Sequence, residues 1–113
     1  MRTNFQFQDQ NITMVKGDTL AFNVEIFDKD GNAMTVDSAF FTCKKRAQDT
    51  ERVFQKSLGW GITQHDGLMY VRVAPEDTIE ADEGEYFYDF QIGIDDDIYT
   101  IMIGVLSLEQ NIT

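Results

Sequence analysis

The sequence predicts an all-β fold, a sandwich of short strands in one domain, and three observations carry that expectation. Apolar side chains alternate with a period of two in several segments, as half-buried strands require. Groups rich in Gly, Asp and Asn separate those segments at short intervals, the spacing of turns between strands. No stretch carries the i, i+3, i+4 pattern of an amphipathic helix beyond a single turn.

The elements follow in order. Residues 19–27 place Leu20, Phe22, Val24 and Ile26 on one face, with Asn23 and Glu25 on the other. Gly17-Asp18 precedes this strand. Asp28-Lys29-Asp30-Gly31-Asn32 follows it as a hairpin-turn signal, because these residues tolerate positive φ. Residues 38–46 form the next strand, with Ala39, Phe41 and Cys43 on one face and Phe40, Thr42 and Lys44 on the other. Both faces hold apolar residues, so its register is open. Residues 47–65 read weakly: a polar turn at Gln48-Asp49-Thr50, a short strand over 53–58, then breaks at Gly59-Trp60-Gly61 and Asp66-Gly67. Residues 68–73 form a strand that stops at Ala74-Pro75, since proline cannot donate to a central ladder. Residues 75–80 suit one helical turn, with proline early and acids near its start. Residues 85–92 alternate Tyr86, Tyr88, Phe90 and Ile92 with Glu85, Asp89 and Gln91. Gly93-Ile94-Asp95-Asp96-Asp97 turns the chain, and 98–108 close the fold, with Gly104 a bulge or a close approach.

About seven strands result. A length of 113 residues, 42% of them hydrophobic and including nine Phe and four Tyr, fills one core and one domain over 1–113. One proline and no long polar linker give no ground for a second domain. Gln-Asn-Ile-Thr occurs at 10–13 and again at 110–113, and without flanking similarity this is chance rather than a repeat.

The segment Asp82-Glu83-Gly84-Glu85-Tyr86-Phe87-Tyr88 refines the fold class. It has the layout of a tyrosine corner, in which a tyrosine hydroxyl bonds back to the backbone just upstream as the chain enters its penultimate strand. Asp82, Gly84, Tyr86 and Tyr88 are the structural residues of this corner, and the expectation becomes an immunoglobulin-like antiparallel β-sandwich. Tyr88 stands where antibody domains carry their second cysteine. Cys43 is the only cysteine, so no intrachain disulfide forms and burial of Tyr86, Tyr88 and Phe90 has to hold the layers together.

A family resemblance rests on blocks in the same order. Ile12-Thr13-Met14-Val15-Lys16-Gly17-Asp18-Thr19, Asp30-Gly31-Asn32, Val73-Ala74-Pro75-Glu76-Asp77-Thr78, the run from Gly84 to Gln91, and residues 100–106 crossing a glycine together resemble Ig-like modules of bacteriophage tails. They are similar to the N-terminal domain of phage upper baseplate proteins. The resemblance implies a virion structural protein of the baseplate, tail or neck, assembled in the bacterial cytoplasm, oligomeric within an assembly, and without catalysis or cofactor.

Charge narrows the partners. The net charge is -11, yet residues 1–72 balance nine acids against nine bases; eleven acids and no Lys or Arg follow Arg72. Such a field disfavours nucleic acid and anionic lipid and favours basic protein surfaces or a divalent cation. Residues 1–6 lack the apolar stretch of a signal peptide, and no apolar run approaches the ~20 residues that span a bilayer. The lone cysteine points to a reducing compartment or intracellular assembly. The chain reads as soluble and unprocessed.

Individual residues add little catalytic chemistry. His65 lies in a polar loop without a second imidazole, and Cys43 sits mid-strand as a buried thiol. No phosphate-cradling glycine loop or nucleophile elbow is present, so the expectation is no enzyme. Asp95, Asp96 and Asp97 are the sharpest Ca²⁺ candidates, but their spacing departs from an EF-hand loop and a solvated turn is the expectation. For partner binding the candidates are these three acids, Trp60, and Tyr99, Ile101 and Ile103 of a final strand whose two faces are both apolar. The alternative function is a carbohydrate- or ligand-binding module in which Trp60 and Tyr70 stack on sugar rings. A remoter one is an acidic mimic of nucleic acid.

Overall fold

The structure is a computed structural model, and it describes residues 8–112. Residues 1–6, read above for a signal peptide, and Thr113 of the second Gln-Asn-Ile-Thr lie outside the described residues. Those described form an all-β domain: β1 (Gln8–Asp9), β2 (Ile12–Val15), β3 (Leu20–Glu25), β4 (Ser38–Lys44), β5 (Phe54–Leu58), β6 (Gly61–His65), β7 (Leu68–Val73), the helical turn α1 (Pro75–Thr78), β8 (Gly84–Ile94) and β9 (Asp97–Glu109).

Hydrogen bonding links the strands in the order β1-β9-β8-β4-β5-β6-β7-β3, with β2 also on β9. Strands β1 and β2 run parallel to β9 and β5 runs parallel to β6, whereas every other pair is antiparallel. The expectation of about seven antiparallel strands is therefore corrected to nine strands in a mixed sheet. Alternation reports which side chains face inward but not chain direction, so parallel pairing leaves no mark in it. The weakly patterned stretch 47–65 holds two strands, β5 and β6, rather than one.

The β5–β6 join consists of only two residue pairs, Ser57↔Gly61 and Leu58↔Ile62. Around it the sheet curls over. The Phe22 ring of β3 lies 5.3 Å from Phe41 of β4 and 6.4 Å from Phe90 of β8, on strands with which β3 shares no ladder. Phe41, Phe90, Ile62, Val71, Val73, Ile92 and Leu106 fill the space between as fully buried side chains. Each contributes roughly 1.5–3 kcal/mol by leaving water. No disulfide assists, because Cys43 is a free, buried cysteine.

Strand β4 resolves its open register: Ala39, Phe41 and Cys43 are buried and Phe40 is exposed. The Asp28 turn forms, with its carboxylate accepting from the N–H groups of Asp30 and Asn32, both at 2.9 Å. It closes only the single bridge Phe27↔Ala33 and does not make β3 and β4 a hairpin. Local turn chemistry is satisfied, but the buried faces pair β3 with β7 and β4 with β8.

Strand β9 departs most from simple alternation. Its register against β8 shifts between Phe90 and Gln91, which face Met102 and Thr100, so Ile101 is the extra residue of a bulge. Gly104 marks a close approach instead: a Cβ there would lie 2.0 Å from the Gln10 carbonyl oxygen. In α1, Asp77 accepts from the Ala74 N–H at 2.7 Å and pairs with Lys56 of β5 at 2.6 Å, fastening the helical turn to the sheet.

Candidate functional site

Asp82 lies just before β8, and Gly84, Tyr86 and Tyr88 lie within its start. Tyr86 is buried, and its hydroxyl donates to the Asp82 carbonyl oxygen at 2.7 Å. Burial and the nearby Asp82 charge push its phenol up. Lys45 Nζ stands 4.6 Å from the centre of the ring. Gly84 takes φ +138° at the strand's entry, where a side chain is disfavoured. Tyr88 donates from its hydroxyl to the Gln10 carbonyl oxygen, tying β8 to the segment between β1 and β2.

With Tyr86, Tyr88 and Phe90 turned inward, the intervening residues of β8 form an outward face together with β4 and β9. Pairing aligns Phe40 with Gln91 and Thr100, then Thr42 with Asp89 and Ile103, then Lys44 with Phe87 and Val105. Phe40 is 40% exposed, Phe87 46% and Ile103 39%, an apolar patch on what pattern alone makes the solvent side. A groove of about 420 Å³ crosses it, lined by Lys44, Arg52, Gln55, Phe87, Asp89 and Ile103 among others. Burial holds the Asp89 carboxyl above its ordinary range, and Lys44 partly opposes this. The groove thus combines cationic, apolar and amide groups around one desolvated carboxylate.

The residues singled out from sequence do not all converge there. The bulge splits the Tyr99, Ile101, Ile103 set. Ile101 belongs to the core and Tyr99 packs against it, and only Ile103 reaches the outer face. The apolar character of both faces of β9 is largely this change of phase: Tyr99 and Ile101 face the core before it, Met102, Leu106 and Leu108 after it. The turn expected over 93–97 is shorter, because Gly93 and Ile94 still pair with Ile98 and Asp97: Asp95 and Asp96 take φ 50° and 74° and make the two-residue tip between β8 and β9, as in a type I′ hairpin. The Asp95 N–H donates to Asp37 Oδ2 at 2.9 Å. Asp97 opens β9, and Ile98 beside it is 64% exposed. Among the described residues no group of three or more His, Cys, Asp or Glu is placed to hold a metal ion.

Trp60 is 78% exposed, on a tight turn in which its N–H donates to the Ser57 carbonyl at 2.8 Å and Gly59 takes φ +85°. It does not cap the core. Tyr70, 45% exposed, lines a shallow concavity on the β3–β7–β6 face with Asn23, Thr63 and Arg72. His65 pairs with Asp66 at 3.1 Å on the surface. Burial pushes the Cys43 thiol up to about 12, which keeps it protonated and unreactive at neutral pH.

Phe40, Phe87 and Asp89 are absent from the sequence-derived candidates, although two of them left a signal. Phe40 and Phe87 are aromatics at outward positions of β4 and β8, out of phase with the buried set. The groove itself has no sequence signal, because Arg52 and Gln55 meet Asp89 only through pairing across β4.

Among the described residues no helix is long and apolar enough to cross a membrane. No family model matches the chain, and no curated protein matches it in sequence.

Proposed function

We propose that this chain is a non-catalytic docking module, an Ig-like β-sandwich that acts through protein–protein contacts as a structural component of a phage or prophage particle. The observation that carries the docking reading is the outward patch of Phe40, Phe87 and Ile103 around the half-buried Asp89. Exposed apolar side chains gathered on one sheet face mark interaction surfaces more than solvated ones. The sandwich reading is supported by the Tyr86–Asp82 bond and by the packing of Phe22 against strands it does not pair with. On this reading the two-pair β5–β6 join is the corner between layers. The phage assignment rests on the resemblance of the sequence blocks, and the -11 charge favours basic protein partners over nucleic acid or membrane surfaces.

The test is electron microscopy of particles carrying a labelled copy of the chain, read alongside the neighbouring genes. Label at a fixed place on the tail, neck or baseplate, with virion genes adjacent, is the expected result. Unlabelled particles, or a metabolic gene neighbourhood, would sink the virion assignment.

The exposure of Trp60 favours a second reading, a carbohydrate-binding module, because an indole free of the core can stack on a sugar ring. Titration of Trp60 fluorescence with glycans separates the two readings. A saturable shift in emission supports the lectin, and unchanged emission leaves docking.

A further inference from the structure

We propose that the groove of one copy receives the acidic β8–β9 tip of a second copy, so that the chain associates head to tail. The inference rests on the docking reading above and names the partner.

Two kinds of complementarity support it. Four of the nine bases in the chain, Lys44, Lys45, Arg46 and Arg52, fall within residues 44–52, where only Asp49 and Glu51 oppose them. Lys44 and Arg52 of this group line the groove beside Phe87 and Ile103. The tip offers the converse: Asp95, Asp96 and Asp97 with the exposed Ile98 directly following. Lys44 and Arg52 outweigh Asp89 among the charges lining the groove, so a locally positive surface faces carboxylates, and an apolar floor faces an apolar side chain.

Geometry forbids a chain from satisfying itself. Asp89 of the groove and Asp95 of the tip belong to one hairpin, six residues apart, and extended strand covers about 20 Å over that distance. The contact has to be between copies. Made once per pair of copies, the contact between these two surfaces is heterologous and propagates into a ring or a filament, whereas two reciprocal contacts would close a dimer. A symmetric dimer with the two outer faces pressed together fits less well. With groove against groove, it would bury two Asp89 carboxylates in one contact and leave both acidic tips without the groove's cations.

The experiment is sedimentation equilibrium of the purified chain over a range of concentrations, at about 0.05 M and about 0.5 M salt, where screening lengths differ severalfold. The expected result is a mass above the monomer that grows with concentration and falls in high salt. A chain that stays monomeric at every concentration overturns the proposal, without recourse to any variant. Two variants then locate the contact. Lys44→Glu with Arg52→Glu reverses the groove. Asp95→Asn, Asp96→Asn and Asp97→Lys turn the tip from three negative charges to one positive, with Asn suited to the left-handed backbone.

Each variant alone should associate at least about tenfold more weakly than the parent, and an equimolar mixture should recover association. Variants that associate as the parent does, or a mixture that fails to recover while both remain folded by circular dichroism, overturn it. The two proposals fail separately. A monomeric chain whose label still appears on particles refutes the head-to-tail contact and leaves the virion role intact. A self-associating chain that never labels particles does the reverse.

Discussion

Replacing Gly104 by alanine isolates what holds the N-terminal strands to the sheet. Gly104 is not among the positive-φ glycines, so alanine carries no conformational penalty there and the cost is steric. The new Cβ would lie 2.0 Å from the Gln10 carbonyl oxygen and 3.2 Å from the Tyr88 ring. The carbonyl would have to retreat by about 1.4 Å to reach ordinary contact at 3.4 Å. Two hydrogen bonds oppose that retreat, Gln10 N–H to Ile103 O at 2.9 Å and the Tyr88 hydroxyl to the same Gln10 carbonyl. At roughly 1 kcal/mol net for each bond, plus loosened packing of β1 on β9, the substitution should cost about 2–3 kcal/mol. For a domain of this size that lowers the melting temperature by roughly 8–12 °C.

Thermal unfolding followed by circular dichroism measures the loss, and hydrogen exchange locates it. The Gln10 amide should lose protection while the β3–β7 ladder keeps it. Gly31→Ala is the control: its φ is +83° but nothing lies within 4 Å of the added Cβ. It should cost only the left-handed backbone penalty of about 1–2 kcal/mol and leave Gln10 protected. A Gly104→Ala protein that melts with the parent and keeps Gln10 protection would refute the steric reasoning.

Three further outcomes are expected. Tyr86→Phe removes the bond to the Asp82 carbonyl while keeping the ring, and should lower stability by about 1 kcal/mol in denaturant titration, since Asp82 is exposed and water can replace the hydroxyl. Cys43 should resist thiol reagents in the native chain at neutral pH and react on unfolding. Its folded pKa of about 12 exceeds the ordinary 9.0, so the unfolded chain ionises first and stability should fall as pH rises between those values. Burial raises Asp89 above its ordinary value, so its contribution is present in full in acid and lost as pH rises through its folded pKa. Asp89→Asn should therefore melt higher than the parent at neutral pH and converge with it in acid.

The parts of this fold legible in the sequence are those set by local rules. Strands β3, β7 and β8 follow from strict alternation, and α1 from a proline followed by acids. The bond from the Tyr86 hydroxyl to the Asp82 carbonyl is local too, with its donor and acceptor four residues apart. What escaped depends on long-range partners. Nothing in residues 8–15 says that they lie parallel to β9, because the pattern of a strand is indifferent to the direction of its neighbour. The bulge at Ile101 hid in plain view: a strand apolar on both faces is also what a change of phase produces. Strand β4 carries the same ambiguity, and there it has the other origin, since Phe40 is exposed beside a regularly alternating core set.

That contrast between β9 and β4 bears on function. Excess apolar residues in a strand can be absorbed by a bulge, which turns consecutive side chains inward, or left on the surface for a partner. In β9 the bulge takes Ile101 and Met102 into the core, leaving Ile103 outside. In β4 and β8 no irregularity rescues Phe40 or Phe87, which stay in water at the cost of unburied apolar area. Among them sits Asp89, whose raised pKa reports that its environment already disfavours the charge. A neutral side chain there would leave the exposed Phe40, Phe87 and Ile103 with no acid among them to discriminate between partners. The carboxylate raises the cost of any contact that covers it without supplying compensation, so it restricts the face to partners that leave Asp89 at the margin or bring charge to it. On the proposed docking reading, exposed apolar side chains with one carboxylate among them and two bases beside it favour selective docking over simple adhesion.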